Sequence, residues 1–224
     1  MILGTGCLGE QALDGAAIRR ALAAAGLKRV LLAARDGARA CDLAGVPAAG
    51  VRCDWARAAE GAALALGVRA RWLVLDLPPL ELERACRELH ACALRHAGLR
   101  LAVTTPAGGP LARPDVLETL LADLAAQRVG YWHVPSRAHL LGHGDTPWLD
   151  ALSRRLCGLS LDDVAGGEPG ALPGLGGLDF KVAAACATSS LEVALDVAPL
   201  DDPALLRFAA EHLRQVGFRH QEPA

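Results

Sequence analysis

Short apolar runs alternate with longer segments of helical periodicity along the whole chain, and this alternation restricts the fold more than any other feature. The runs are Ile2 to Cys7, Val30 to Ala34, Gly50 to Cys53, Trp72 to Leu77, Leu99 to Thr104, Val129 to His133, Leu156 to Leu161 and Leu191 to Val197. Between them, segments such as Ala16 to Ala25, Glu81 to Ala97, Val116 to Ala126 and Ala204 to Val216 place apolar residues three and four apart, with Gly26, Gly98 and Gly217 as helix C-caps. Strand followed by helix, repeated without a linker, predicts a parallel sheet with crossover helices. Eight such units predict a closed (β/α)8 TIM barrel of the α/β class, one domain over residues 1–224. That fold usually takes about 250 residues, so short loops and one or two reduced helices are expected. No period indicates a solenoid.

Composition narrows the function classes. Hydrophobic residues make up 52% of the chain, enough for one sizeable core. The 25 acidic and 23 basic residues leave a net charge of -2 and no global positive excess to hold a phosphate backbone, which argues against nucleic acid. Seven cysteines without a C-x-x-C pair predict free thiols in a reducing compartment. The first ten residues lack a basic leader segment, and no apolar run reaches the roughly 20 residues that span a bilayer. A soluble cytoplasmic protein with no membrane partner is the expectation.

One motif argues for a different fold. Gly4-Thr-Gly-Cys-Leu-Gly9, followed by a helical run and Val30-Leu-Leu-Ala-Ala-Arg-Asp36, imitates the dinucleotide-binding unit of NAD(P)-dependent Rossmann oxidoreductases. There, glycines let the backbone approach a pyrophosphate at a helix N-terminus, and an acid binds the ribose. Here only Met1 to Leu3 precede the first glycine as strand, and Asp14-Gly15 starts the helix several residues past the third. The barrel is therefore the preferred reading, with no cofactor.

Three segments of the later half carry a family resemblance: Gly130-Tyr-Trp-His133, Asp163 after an apolar strand, and Pro173-Gly-Leu-Gly-Gly-Leu-Asp-Phe180. In this order they resemble the sugar phosphate isomerases and epimerases, the xylose isomerase-like TIM barrels. That family runs "G-Y-W-H-D-x-G-H-A", then "H-L-x-D", then "P-G-x-G-x-x-D-F". The loop is the most specific match; its glycines allow a tight passage, Asp179 can cap the next helix and Phe180 can anchor it in the core.

The resemblance implies a divalent cation held by carboxylates and a histidine at the C-terminal strand ends, polarising a sugar carbonyl while carboxylates move a proton. Carried over residue by residue, the strand-five Glu falls on Thr104, the strand-six Asp on Val134, the following His on Arg137, the strand-seven His on Ser160 and the strand-eight Glu on Asp196. One carboxylate among hydroxyl, apolar and guanidinium groups is too poor a ligand set for a cation, so no metal is expected. Arg137 would attract a phosphate or carboxylate instead, if it is not simply a solvated loop residue.

Two functional readings follow. In the first, the barrel has lost its metal site and binds a small anionic or sugar-like ligand, or a protein partner, with Arg137, Thr104 and Ser160 as binding residues. In the second it remains an isomerase, epimerase or lyase, with Asp163, Asp196 and His133 as metal-free proton carriers. Asp162 and Asp163 point to opposite faces of strand seven, and the family match selects Asp163, whose alternative role is a helix cap or turn; the alternative for His133 is a packed histidine beside Trp132. Asp36, Asp54 and Asp76 end strands two, three and four and receive no role, because aspartates that open loops commonly cap helices.

Overall fold

A computed structural model describes residues 2–4, 15–34, 40–43, 45–188, 190–196 and 203–218. Eight strands form a closed barrel: β1 (Ile2–Gly4), β2 (Arg29–Ala33), β3 (Ala48–Asp54), β4 (Trp72–Asp76), β5 (Arg100–Thr104), β6 (Gly130–His133), β7 (Leu156–Leu161) and β10 (Glu192–Leu195). Every neighbouring pair is parallel, and β1 closes the ring between β10 and β2. The strands fall where the apolar runs place them. The ring also excludes the Rossmann alternative, which needs an open sheet. Gly6, Gly9 and Asp36 of that motif lie outside the described residues.

Crossover helices cover the ring: α1 (Gly15–Ala25), α2 (Ala58–Gly67), α3 (Leu82–Arg95), α4 (Pro114–Asp123), α5 (Pro135–Leu140), α6 (Asp145–Leu152), α7 (Lys181–Cys186) and α8 (Pro203–Val216). The third shows how the pattern works. Ala85, Leu89, Cys92 and Ala93 form its buried stripe, and Arg84 pairs with Glu88 one turn on at 2.7 Å across the solvent side. Proline opens both α4 and α5, where its missing N–H costs nothing. The reduced helices are α5 and α7, six residues each.

Two apolar layers result. The larger lies between barrel and helices. The smaller fills the lumen with Leu31, Ala49, Trp72, Val74, Ala102, Trp132 and Ala194. Trp72 and Trp132 meet edge to face with centroids 6.5 Å apart. Small residues across the lumen make room for them: a Cβ at Gly50 would stand 2.9 Å from the Trp72 Cβ, and one at Gly158 would stand 2.4 Å from the Trp132 ring. Alternation along each strand then puts Asp76 above Val74, Thr104 above Ala102 and Asp196 above Ala194, at the C-terminal rim.

An additional antiparallel hairpin, β8 (Asp163–Ala165) and β9 (Glu168–Ala171), rises from the rim after β7. Gly166 and Gly167 make its two-residue turn with φ of 61° and 85°, the left-handed conformation that a tight hairpin of this twist requires.

Candidate functional site

The C-terminal rim holds a network of charges. Arg52, two residues beyond Gly50 on the same face of β3, donates to both carboxylate oxygens of Asp76 at 2.8 and 3.1 Å. Its remaining nitrogen donates to Asp196 at 2.6 Å. Arg137 enters from α5, and its Nη1 donates to Asp76 at 2.6 Å, to the Thr104 hydroxyl at 2.9 Å and to the Thr105 carbonyl at 3.1 Å. Thr104 in turn donates to Asp76 at 2.7 Å. Burial alone would raise the Asp76 carboxyl, but the two guanidiniums outweigh it and hold the group well below the usual carboxylate range. Burial likewise pulls on Arg52, and Asp76 and Asp196 overcome it, so its charge is permanent.

These donors and acceptors are incompletely used. Nε and Nη2 of Arg137 have no hydrogen-bond partner among the described residues, and its side chain is 23% exposed. Among the described residues, Asp196 uses Oδ2 only. Asp162, buried on the inner side of β7, accepts from the Ser136 hydroxyl at 2.7 Å and from the Gly170 amide at 2.9 Å. Burial and the nearby Asp196 charge push its carboxyl up to about 6 despite these bonds. It is a carboxyl that exchanges a proton near neutral pH.

Thr104, Arg137 and Asp196 thus meet in one network. Ser160 faces the lumen one step deeper, where its hydroxyl accepts from the Trp132 indole at 3.0 Å. Two expectations need correction. Asp163 does not face the mouth: its Oδ1 accepts amides of Val164 and Leu178 at 2.8 and 2.9 Å, and its Oδ2 accepts those of Gly174 and Gly176 at 3.1 and 3.0 Å. The acid and the glycine loop, read from the sequence as two matches, are one structure in which a carboxylate ties the loop to the strand end. A Cβ at Gly176 would collide with that carboxylate. Asp179 and Phe180 sit as expected, with Asp179 accepting the Lys181 amide at 3.1 Å and Phe180 buried.

His133 is the second correction. Trp132 occupies the lumen, so His133 and Tyr131 face outward into the helix layer, fully buried. His133 Nδ1 pairs with the Tyr131 hydroxyl at 2.7 Å and Nε2 with Asp145 at 3.0 Å. Thr105 bonds the same hydroxyl at 2.8 Å and accepts the Val134 amide at 2.9 Å. Both ring nitrogens are committed, and no route to the mouth is left.

Arg52, Asp76 and Asp162 were not selected from the sequence. Strand parity could have found Asp162: if Ser160 faces the lumen, so does the residue two positions on. The Arg52 to Asp196 contact, separated by 144 residues, leaves no local trace.

Among the described residues, no three His, Cys, Asp or Glu side chains converge as a metal-holding group. The six described cysteines are unpaired thiols; Cys7 lies outside the described residues. No described helix is long and apolar enough to cross a membrane.

No family model matches the sequence, and no curated protein does. Solved structures do match. The probable 3-DHS dehydratase AsbF of petrobactin synthesis from Bacillus anthracis shares 11% identity at a TM-score of 0.75, over 96% of this chain and 99% of that one. The IOLI protein with a binding zinc atom shares 12% at a TM-score of 0.68, over 96% and 95%. A xylose isomerase domain protein from Alicyclobacillus acidocaldarius subsp. acidocaldarius shares 15% at a TM-score of 0.66, over 96% of each. Together with the closed parallel ring and the Asp163-tied rim loop, these likenesses establish that the chain carries the xylose isomerase-like TIM-barrel fold.

Proposed function

We propose that this barrel binds a small anionic, sugar-like molecule at its C-terminal mouth without a divalent metal. The observation that carries the reading is the unused edge of Arg137. One nitrogen is anchored to Asp76, Thr104 and Thr105, which fixes the guanidinium plane, while Nε and Nη2 remain free to take two oxygens of a phosphate or carboxylate. Asp196 Oδ1 offers an acceptor for a sugar hydroxyl. The donor set does not suit a cation. By the motif resemblance Arg137 falls on the family's histidine position, and Arg52 pairs with Asp196 at 2.6 Å.

The test combines metal analysis of the purified protein by mass spectrometry with thermal-shift titration against sugar phosphates, sugar acids, Mn, Mg and Zn. Saturable stabilisation by an anionic sugar, lost in Arg137→Met, is expected. Stoichiometric bound metal overturns the reading.

A second reading, retained catalysis of isomerase or epimerase type, is favoured by Asp162 alone. A carboxyl near pH 6 beside a second carboxylate is suited to accept and return a proton. Here the ligand's anionic group sits on Arg137 and Asp162 replaces the Asp163 and His133 of the sequence reading. Metal-independent exchange of solvent deuterium into a sugar phosphate, abolished by Asp162→Asn, is its signature.

A further inference from the structure

The opposite, N-terminal opening of the barrel carries a second constellation, which the mouth chemistry does not use. Alternation carries the inward faces of β2, β5 and β10 down to Arg29, Arg100 and Glu192, so the bottom layer of the lumen is charged. Arg29 and Glu192 neutralise each other at 2.9 Å. Arg100 and the exposed Arg71 do not have that option: neither has an ion pair among the described residues. Instead both guanidiniums pack against one ring, Trp72, at 5.7 and 5.8 Å from its centroid. The Arg100 amide donates to the Arg71 carbonyl at 3.1 Å, so the two side chains leave adjacent backbone positions.

Both arginines are exposed, so water screens their repulsion, and each cation–π contact returns only about 0.5–1 kcal/mol; the pair keeps its donors open to an anion. A second, independent observation falls at the same place. Trp72 is 7% exposed, and its indole N–H has no acceptor among the described residues. Trp148 has a similar orphan N–H, but it lies in the helix layer beside Tyr131, remote from any cation pair of this kind.

We infer that the N-terminal opening is a binding site for a phosphoryl-class oxyanion, held between Arg71 and Arg100 at the edge of Trp72 that carries its unpartnered indole N–H. A tetrahedral dianion suits this group better than a carboxylate, because it presents oxygens toward two guanidinium forks at once. Arg29 and Glu192 form the wall of the site and add no net charge.

The probe is inorganic phosphate, titrated at constant ionic strength into the full chain labelled with 15N, with the Trp72 indole resonance assigned through Trp72→Phe. A saturable shift of that resonance is expected, weakened about tenfold or more in Arg100→Gln and in Arg71→Gln, as loss of one charge-assisted fork implies. Arg137→Met, which removes the anion anchor at the mouth, leaves the shift intact, so the two sites fail separately. A linear, non-saturating response, or one unchanged in both arginine variants, overturns the inference. So does an equal response to chloride.

Discussion

The mouth of the barrel and the outer wall around β6 and β7 are both lined with buried polar groups, yet they differ in how fully those groups are used. On the outer wall Asp163 and His133 have every partner present, and only the Trp148 indole N–H among the described residues there is left over. Asp163 fills both oxygens with four amides, and His133 commits both nitrogens to Tyr131 and Asp145. Within the mouth, Arg137 keeps two nitrogens and Asp196 one oxygen without a partner among the described residues. A buried polar group with all partners in place holds structure, and one with partners missing is poised for something from outside.

The strongest way to break this contrast is Asp163→Asn. The amide turns two acceptor positions into donors facing the Gly174 and Gly176 or the Val164 and Leu178 amides, so a loss of about 3 kcal/mol or more is expected from urea denaturation. Unchanged stability with lost ligand binding would place Asp163 with the mouth after all. Arg52→Met should cost about 3 kcal/mol by the same measurement, since it leaves Asp196 without its cation partner. Tyr131→Phe, on the wall, should cost about 1–2 kcal/mol through the bonds lost by Thr105 and His133, with no effect on anion binding by calorimetry.

Asp162 gives a pH signature of the opposite sign to most carboxylates. Its folded-state pKa of about 6 lies above the unfolded value near 3.9. The stability it confers is therefore fully present below pH about 4 and is lost as pH rises toward about 6, by about 2 to 3 kcal/mol. Asp162→Asn should abolish that slope and stabilise the protein at pH 8, because the amide can accept from Gly170 and donate to Ser136. Asp76, held low by its arginines, works the other way, and its contribution falls away only in strong acid. Denaturation of both proteins between pH 4 and 8 isolates the Asp162 difference. The smallest effect on stability belongs to Arg137→Met, within about 1 kcal/mol, since a partly exposed ion pair contributes little.

The barrel was legible because its strands are apolar runs separated by helices with glycine stops, a signal repeated along the chain. Six-residue α5 and α7 fall below the length at which helical periodicity can be read. The β8–β9 hairpin announces itself only through Gly166-Gly167, inside what otherwise looks like loop. At the site, Thr104, Arg137 and Asp196 followed from motif alignment. The choice of Asp163 failed because motif alignment identifies a position without saying which way its side chain faces. The same holds for His133, whose orientation is fixed by the size of its neighbour Trp132 and the glycine opposite that ring.

Trp72 and Trp132, wedged into the lumen beneath the charged rim, also bear on communication through the molecule. Those two indoles plug the lumen among the described residues, so whatever sits at one end would be felt at the other only through the rings themselves or across the low dielectric of the barrel.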